Sequence, residues 1–174
     1  MTLACFKAYD VRGRFPEELD EGLARRIGRA FVDVTGAREV VVGRDIRLSS
    51  PSLATALAAG LNESGADVLD IGVCGTEEVY FSSAHSGAGG GIMVTASHNP
   101  PDYNGMKFVA EGARPISGDS GLDEIRDRAA VGIFGPVARR GAVRRLNLAE
   151  AYIEHLLGYI DPAVLAPLTV VANP

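Results

Sequence analysis

The fold of this chain is decided between residues 39 and 72, which read EVVVGRDIRLSSPSLATALAAGLNESGADVLDIG. Two short β-branched runs that end on glycine, Glu39–Gly43 and Asp67–Gly72, enclose a segment with leucines at helical spacing. Continuous apolar runs of this length are typical of parallel strands that are buried on both faces. Ser50 and Pro51 suit a helix start, since serine caps helices and proline fits the first turn. The stretch therefore predicts a β–α–β unit.

The same alternation continues on both sides of this unit. A helix is predicted from Thr76, with acidic residues in its first turn, and it leads into a third buried strand at Gly91–Thr95. Upstream, residues 17–34 repeat apolar side chains at helical spacing, and downstream, residues 105–109 alternate as a short strand. The pattern predicts an α/β fold, a three-layer αβα domain with a mostly parallel mixed sheet.

The last forty residues are less regular. Residues 131–145 are rich in glycine and arginine, which predicts a loop with an edge strand. Asn147 and Glu150 have the spacing of a capping box for one more helix. Residues 168–172 are apolar and β-branched, so the sequence predicts that a new strand begins just before the chain stops.

Composition and charge restrict the class of protein. The chain has 174 residues, of which 47% are hydrophobic and 22% charged, as in soluble globular proteins. Its 17 basic and 22 acidic side chains give a net charge of −5, which argues against nucleic-acid wrapping or binding to anionic membranes.

No apolar run of about 18 residues exists, and residues 1–10 lack a signal-peptide pattern, so we expect a cytoplasmic protein. Cys5 and Cys74 are too few for a disulfide scaffold or zinc site and are interpreted as reduced packing residues.

Three loops should meet where the predicted parallel strands end. They are Gly43–Arg47, Gly72–Thr76 and Thr95–Pro101. In a doubly wound sheet the chemistry lies at these strand ends, because helix N-termini and free backbone N–H groups converge there. The third loop combines a hydroxyl, an imidazole, an amide and a rigid Pro-Pro pair. Ser97 in that loop is a candidate nucleophile or phosphate carrier.

The residues of the third loop also carry a family resemblance. Thr95–Pro100 (TASHNP), followed by Tyr103–Lys107 (YNGMK), closely resembles the phosphoserine loop of the α-D-phosphohexomutases, the phosphoglucomutase and phosphomannomutase enzymes. Phe6–Gly13 (FKAYDVRG) is similar to the N-terminal signature of that family, and Val42–Asp45 (VGRD) to its first-strand segment. The motifs occur in the family's order over residues 6–125, which identifies the chain with the N-terminal domain of a bacterial enzyme of this kind.

The resemblance implies a specific reaction. Ser97 would carry a phosphoryl group, pass it to a hexose monophosphate to give a bound bisphosphate, and recover a phosphate from the other end of the sugar. The net result would be interconversion of hexose 1-phosphate and hexose 6-phosphate, with glucose or mannose as the sugar. The phosphoserine brings about two negative charges, so it needs cations close by. The implied catalytic residues are Ser97, Lys107, Arg12 and His98, and the implied substrate-binding residues are Tyr9 and Asn99.

The resemblance also implies cofactors and missing parts. Mg²⁺ would be ligated through the phosphate on Ser97, with hexose 1,6-bisphosphate as intermediate and activator. The metal, sugar-selecting and phosphate-anchoring loops of the family belong to later domains and do not occur in this sequence. Residues 1–145 would therefore form domain I, and residues 146–174 a connecting helix and the first strand of a second domain. Such a truncated chain is expected to be inactive without the remaining mutase domains.

Several conspicuous residues have plain structural interpretations. Asp119, Asp123 and Asp127 recur at helical spacing and predict a solvated helix face, with Ser120 as its cap. Arg44 and Asp45 are predicted to form an internal ion pair. His85 and His155 lie in helical patterns and are predicted to be surface or satisfied helix residues. Tyr80 and Phe81 follow helix spacing and are predicted to be packing residues.

Two other functions remain possible from the sequence. Ser97 and His98 suggest a serine hydrolase, but neighbouring turn residues rarely direct both side chains to one point, and no G-x-S-x-G elbow is present. The stronger alternative is a free-standing, non-catalytic domain that binds sugar phosphates or regulates a partner through the same loop.

Overall fold

The alternating apolar runs fold into a seven-stranded mixed sheet with helices on both faces, described for residues 3–173 by a computed structural model. The strands are β1 Val11–Arg14, β2 Glu39–Arg44, β3 Asp67–Val73, β4 Gly90–Val94, β5 Tyr103–Ala110, β6 Arg114–Pro115 and β7 Val143–Arg145. The helices are α1 Glu21–Thr35, α2 Ser50–Glu63, α3 Thr76–Ser86, α4 Leu122–Val131 and α5 Ala149–Leu157, with short 3₁₀ turns at Glu111–Ala113, Gly118–Ser120 and Pro162–Val164.

The strand order is β1-β5-β4-β2-β3-β7, and β6 pairs with β5. Strands β4, β2, β3 and β7 run parallel to one another, whereas β5 is antiparallel to its neighbours β1, β4 and β6. The predicted β–α–β unit and the predicted mixed sheet are confirmed. The edge strand expected within residues 131–145 is β7, which pairs with β3.

Buried side chains alternate between the two faces of the sheet. Val40 and Val42 point into the larger core, which they share with α1, α2 and α4, whereas Val41 between them points toward α3. Ile92 and Met93 divide in the same way on β4. Since successive side chains of a strand face opposite sides, one run of apolar residues fills both cores. The predicted three-layer arrangement is therefore confirmed.

Several helices begin or are capped at residues other than those predicted, because of local hydrogen bonds. Helix α1 begins four residues later than predicted because the Asp20 carboxylate accepts the Leu23 N–H at 2.7 Å and caps the helix there. The predicted cap at Ser50 is wrong, since Ser50 is already the first residue of α2 and its hydroxyl donates to Asp45. The capping box at Asn147 is also wrong, because its side chain accepts the Ala149 N–H directly and Leu148 precedes α5.

The C-terminal residues lie outside the sheet. Residues 168–172 are exposed and carry no strand pairing within residues 3–173, so the predicted first strand of a second domain stays a prediction. A strand needs a neighbour for its N–H and C=O groups, and none of residues 3–173 offers one there. Helix α5 contacts α3 through aromatic rings, with the Phe81 centroid 5.0 Å from that of His155, and within α3 the ring of Phe81 lies at the same distance from that of His85. Packing was the role predicted for Phe81, whereas the two histidines were predicted to be surface or satisfied helix residues.

None of the helices within residues 3–173 combines the length and the apolar character that a membrane crossing requires.

Two glycines allow α1 and α2 to cross in close contact. A Cβ at Gly28 would overlap the Leu57 carbonyl oxygen, and a Cβ at Gly60 would overlap the Arg25 carbonyl oxygen. A bidentate ion pair joins the same helices, with Arg25 Nε 2.8 Å from a Glu63 carboxylate oxygen. That guanidinium lowers the pKa of Glu63 below its ordinary value.

We expect Gly60→Ala to destabilise the fold. Helix propensity alone would favour alanine by about 1 kcal/mol, but the new methyl group has no room against the α1 backbone and should cost about 2–3 kcal/mol. Urea unfolding followed by circular dichroism measures the change. Gly135→Ala is the matched control, since nothing lies within 4 Å of a Cβ there, and it should shift stability by no more than about 0.5 kcal/mol. A Gly60→Ala protein more stable than the parent would contradict the close crossing.

Candidate active site

The loops after β2, β3 and β4 enclose a cavity of about 540 Å³. Its lining includes Asp45, Arg47, Gly75, Thr76, Thr95 and Ser97. Convergence of the three loops at the strand ends was predicted and is confirmed. Helix α3 begins at this cavity, so the partial positive charge of its N-terminus borders the space.

Ser97 sits on a strained turn at the mouth of the cavity. Its φ of 56° lies in the left-handed region, which residues with a Cβ rarely adopt. The Ser97 N–H donates to Thr95 Oγ1 at 2.9 Å, and the side chain itself is exposed. Strain of this kind is concentrated at functional sites, where the surrounding structure holds it in place.

The imidazole of His98 lies beside the Ser97 hydroxyl. Ser97 Oγ is 3.2 Å from His98 Nδ1, and both residues are exposed. The expectation that these neighbouring side chains would not meet at one point is wrong, because the left-handed turn at Ser97 folds the two side chains together. The pair offers a hydroxyl with a hydrogen-bond partner at the cavity mouth.

Arg12 and Lys107 meet at a carboxylate that sequence analysis did not select. Asp10 Oδ2 accepts a hydrogen bond from Arg12 Nη2 at 2.7 Å and lies 3.4 Å from Lys107 Nζ. Arg12 Nη1 donates to Asn99 Oδ1 at 2.7 Å, which ties this group to the Ser97 loop. Asp10 is 8% exposed, so its charge is largely withdrawn from water and depends on both cations. Arg12 Nε is buried without a partner within residues 3–173, which leaves this side chain with a donor to spare.

Tyr9 lies apart from this group. Its side chain is 77% exposed and lines a different shallow depression, together with Lys7 and Asp123. The structure therefore pairs Ser97 with His98, and it links Asn99 of the same loop to Arg12 and, through Asp10, to Lys107, but it does not include Tyr9 in either group. A role for Tyr9 in substrate binding stays a prediction.

Arg47 is the second residue that sequence analysis missed. Its guanidinium donates to four backbone carbonyls of the loop after β4, at distances of 2.7 to 3.0 Å. A partial signal was present, because Arg47 lies in one of the three loops selected from the sequence. No feature of the neighbouring sequence distinguished Arg47 from Arg44, which lies in the same loop. Asp10 likewise lies within a selected segment of the sequence, the one that contains Arg12, but it was not itself selected.

The predicted ion pair between Arg44 and Asp45 is wrong. Arg44 Nη1 lies 3.0 Å from Asp70 Oδ1 on the neighbouring strand, whereas Asp45 Oδ2 lies 3.3 Å from Arg47 Nε. Adjacent residues at a strand end point to opposite sides of the sheet, so each finds a partner elsewhere.

Within residues 3–173, no three His, Cys, Asp or Glu side chains gather into a metal site. Asp123 and Asp127 both contact Arg126 on the exposed side of α4, which confirms the predicted solvated face for these two residues. The third predicted member, Asp119, is exposed but lies in the 3₁₀ turn before the helix. Ser120 does not cap α4, because it lies in the same turn, where its hydroxyl accepts the Ser117 N–H, and Gly121 occupies the cap position. The described residues therefore offer a Mg²⁺ ion only an incomplete donor set.

Cys74 forms part of the cavity wall. Burial, followed by the nearby Glu78 carboxylate, raises the pKa of Cys74 to about 11. A thiol with this pKa stays protonated at neutral pH, and only the thiolate reacts with alkylating agents. Both cysteines are free, as predicted.

We expect Cys74 to resist alkylation in the folded protein. At pH 8 its thiolate fraction should be about a hundredfold lower than that of the unfolded chain, so iodoacetamide should label it correspondingly slowly. Labelling should accelerate as the pH rises toward 11. Peptide mapping separates Cys74 from Cys5, and the chain in urea is the control. Equal rates with and without urea would contradict the raised pKa.

Comparisons with known proteins agree with this geometry. The family model "Phosphoglucomutase/phosphomannomutase, alpha/beta/alpha domain I" matches residues 4–133. The chain is 58% identical over 173 residues to a phosphomannomutase of Salmonella typhimurium, covering 98% of this chain and 38% of that protein. It is 56% identical over 173 residues to a protein named "Phosphohexose mutases" from Xanthomonas campestris, covering 99% of this chain and 39% of the relative.

A solved structure gives the same result. The crystal structure of a phosphoglucomutase/phosphomannomutase family protein from Burkholderia thailandensis aligns with a TM-score of 0.79 and 41% identity, over 91% of this chain and 36% of that one. This chain thus spans less than two fifths of the length of these relatives. With its matched region, its sheet and its strand-end loops all in agreement, the chain belongs to the phosphoglucomutase/phosphomannomutase family and corresponds to the N-terminal α/β/α domain.

Proposed function

We propose that this chain is the phosphoryl-carrying part of a phosphohexose mutase that interconverts hexose 1-phosphate and hexose 6-phosphate. The observation that carries the proposal is the position of Ser97. Its hydroxyl is exposed on a left-handed turn at the mouth of the strand-end cavity, and Arg12 is tied to the same loop through Asn99. A serine held in this way is accessible to a phosphorylated sugar from the open side.

The transfer itself exchanges one P–O bond for another. When phosphorylated Ser97 meets a hexose monophosphate, the bond between phosphorus and Ser97 Oγ breaks as one forms to a sugar hydroxyl oxygen, and the proton of that hydroxyl ends on Ser97 Oγ. The bisphosphate then returns its other phosphoryl group to Ser97. Charge on the moving group needs fixed cations, which Arg12 and Lys107 supply, and the charged Lys107 assists removal of the hydroxyl proton by stabilising the negative charge that develops on the sugar oxygen. His98, 3.2 Å from the serine oxygen, orients the hydroxyl.

Mg²⁺ belongs to this proposal only in part. A phosphoryl group on Ser97 would offer the oxygen ligands that Mg²⁺ prefers, and the bound ion would neutralise charge on that group. The other ligands must come from outside residues 3–173, since no three metal-binding side chains gather within them.

We also propose that turnover requires further domains, with residues 1–145 as domain I and residues 146–174 leading into the next one. Two exposed apolar surfaces support this. Ile46 and Leu48 project beside the cavity at 86% and 101% exposure, and α5 buries none of its residues. Apolar surface of this kind is usually covered by a neighbouring domain.

The first test is phosphoryl loading of a chimera in which this chain replaces the matching part of the Salmonella phosphomannomutase, so that the remaining domains are present. Incubation with hexose 1,6-bisphosphate and Mg²⁺ should add one phosphate, which intact mass measures and peptide mapping across Gly91–Lys107 places on Ser97. Ser97→Ala should abolish loading, whereas Ser86→Ala, at the far end of α3, should leave it unchanged.

Other outcomes contradict the proposal in different ways. A chimera that binds the bisphosphate but never loads would favour the non-catalytic sugar-phosphate-binding domain. Release of acid from an ester substrate without loading would favour the hydrolase.

The second test is the role of Lys107 in turnover. The same chimera supplies the remaining domains here. Lys107→Met in that chimera should lower kcat by about two to four orders of magnitude, because a cation that stabilises charge on the moving phosphoryl group and on the sugar oxygen is lost. Thermal unfolding should change little, since the side chain is half-buried at the edge of the site. A kcat within threefold of the parent chimera would remove Lys107 from the reaction.

A further inference from the structure

We propose that Arg47 is the positioning residue that holds Ser97 in its reactive geometry. The proposal rests on the function proposed above, in which Ser97 carries the phosphoryl group. Arg47 itself does not touch the reacting atoms. It acts through the backbone of the loop between β4 and β5.

The contacts of Arg47 span this entire loop. Nη2 donates to the Ser97 carbonyl at 2.9 Å and to the Asn99 carbonyl at 2.7 Å. Nη1 donates to the carbonyls of Pro100, at 2.7 Å, and Tyr103, at 3.0 Å. The planar guanidinium therefore fixes four carbonyl oxygens relative to one another, which a single point charge could not do with the same geometry.

The sequence of the loop explains why it needs an external donor. Pro100 and Pro101 have no backbone N–H, so the loop carries more acceptors than donors. Carbonyl dipoles that converge on one point repel each other unless a cation lies between them. Arg47 supplies both the missing donors and the positive charge.

Arg47 is itself held rigidly. Its side chain is 13% exposed, and Nε lies 3.3 Å from Asp45 Oδ2. Asp45 also accepts the hydroxyl of Ser50, and Ser50 in turn accepts a hydrogen bond from the buried Asn104 amide at 2.9 Å. A chain of hydrogen bonds thus runs from the start of α2 to both ends of the Ser97 loop.

This anchoring has a consequence for the serine. The C=O and N–H of one trans peptide point in opposite directions. Because the Ser97 carbonyl points at Arg47, the His98 N–H points away from it, and this N–H makes no hydrogen bond within residues 3–173. Arg47 therefore presents a free amide next to the Ser97 hydroxyl, where it can donate to a phosphoryl oxygen.

The test compares Arg47→Met and Arg47→Lys with Arg126→Met, an arginine on the outer side of α4. Loading of Ser97 by hexose 1,6-bisphosphate in the chimera, followed by intact mass, should slow about a hundredfold in Arg47→Met, since small displacements of a reacting group have effects of this size. Arg47→Lys should recover part of that rate and remain about tenfold slow, because lysine keeps the charge but not the fork. Arg126→Met should load like the parent chimera.

A second measurement separates this proposal from the proposed function. NMR chemical shifts of Ser97 Cα and Cβ report its left-handed backbone, and hydrogen exchange reports the loop amides, whether or not loading occurs. We expect Arg47→Met to lose the left-handed signature while the melting temperature stays within a few degrees. If the parent chimera never loads, the proposed function fails, and the shifts alone, measured on this chain, still decide the role of Arg47. If Arg47→Met keeps the Ser97 shifts and loads within threefold of the parent, the positioning role is wrong. Should Arg47→Met fail to fold, Arg47→Lys decides by the same two criteria.

Discussion

The antiparallel insertion of β5 between β1 and β4 is the constraint on which the candidate site depends. A purely parallel sheet would send the chain from β4 into a crossover helix, and the loop would be separated from the next strand. Here the chain turns back at once, so Lys107 returns along β5 opposite Met93 of β4. Strand β1 pairs with the other edge of β5 and places Arg12 opposite Gly105. Since side chains two residues apart share a face, Asp10, Arg12 and Lys107 necessarily meet on one side of this strand pair.

The approach of β5 to its neighbours is close enough to restrict its sequence. A Cβ at Gly105 would overlap the Val11 carbonyl oxygen of β1, so only glycine fits at this register. The preceding Asn104 is fully buried and donates to the hydroxyls of Ser49 and Ser50 at the start of α2. A buried amide must find such partners, because an unpaired one costs about 1–3 kcal/mol. The pair Asn104-Gly105 thereby ties the end of the Ser97 loop to both β1 and α2.

The sequence correctly predicted those structural elements that depend on residues close together in the chain. Strands β2, β3 and β4 follow from apolar runs that end on glycine, and the family resemblance pointed to the loop with Ser97. Arg47 and Asp10 were missed because their roles depend on contacts with residues about fifty to one hundred positions away, namely the Ser97 loop and Lys107. The strand predicted at residues 168–172 depends in the same way on a distant partner, and no such partner lies within residues 3–173. An apolar run predicts burial, but a strand also requires a partner edge, which local sequence does not reveal.

The charges of the site support the proposal that it is incomplete within this chain. Asp45 is matched by Arg47, while Asp10 is shared by Arg12 and Lys107, so this group has one positive charge in excess. A phosphoserine carries about two negative charges at neutral pH. The described side chains would therefore leave a loaded Ser97 with negative charge that is not neutralised. The N-terminus of α3 offsets little of it, since Glu77 and Glu78 occupy its first turn. A divalent cation held partly by residues outside this chain would supply the balance, which explains in physical terms why we expect turnover to require more than this domain.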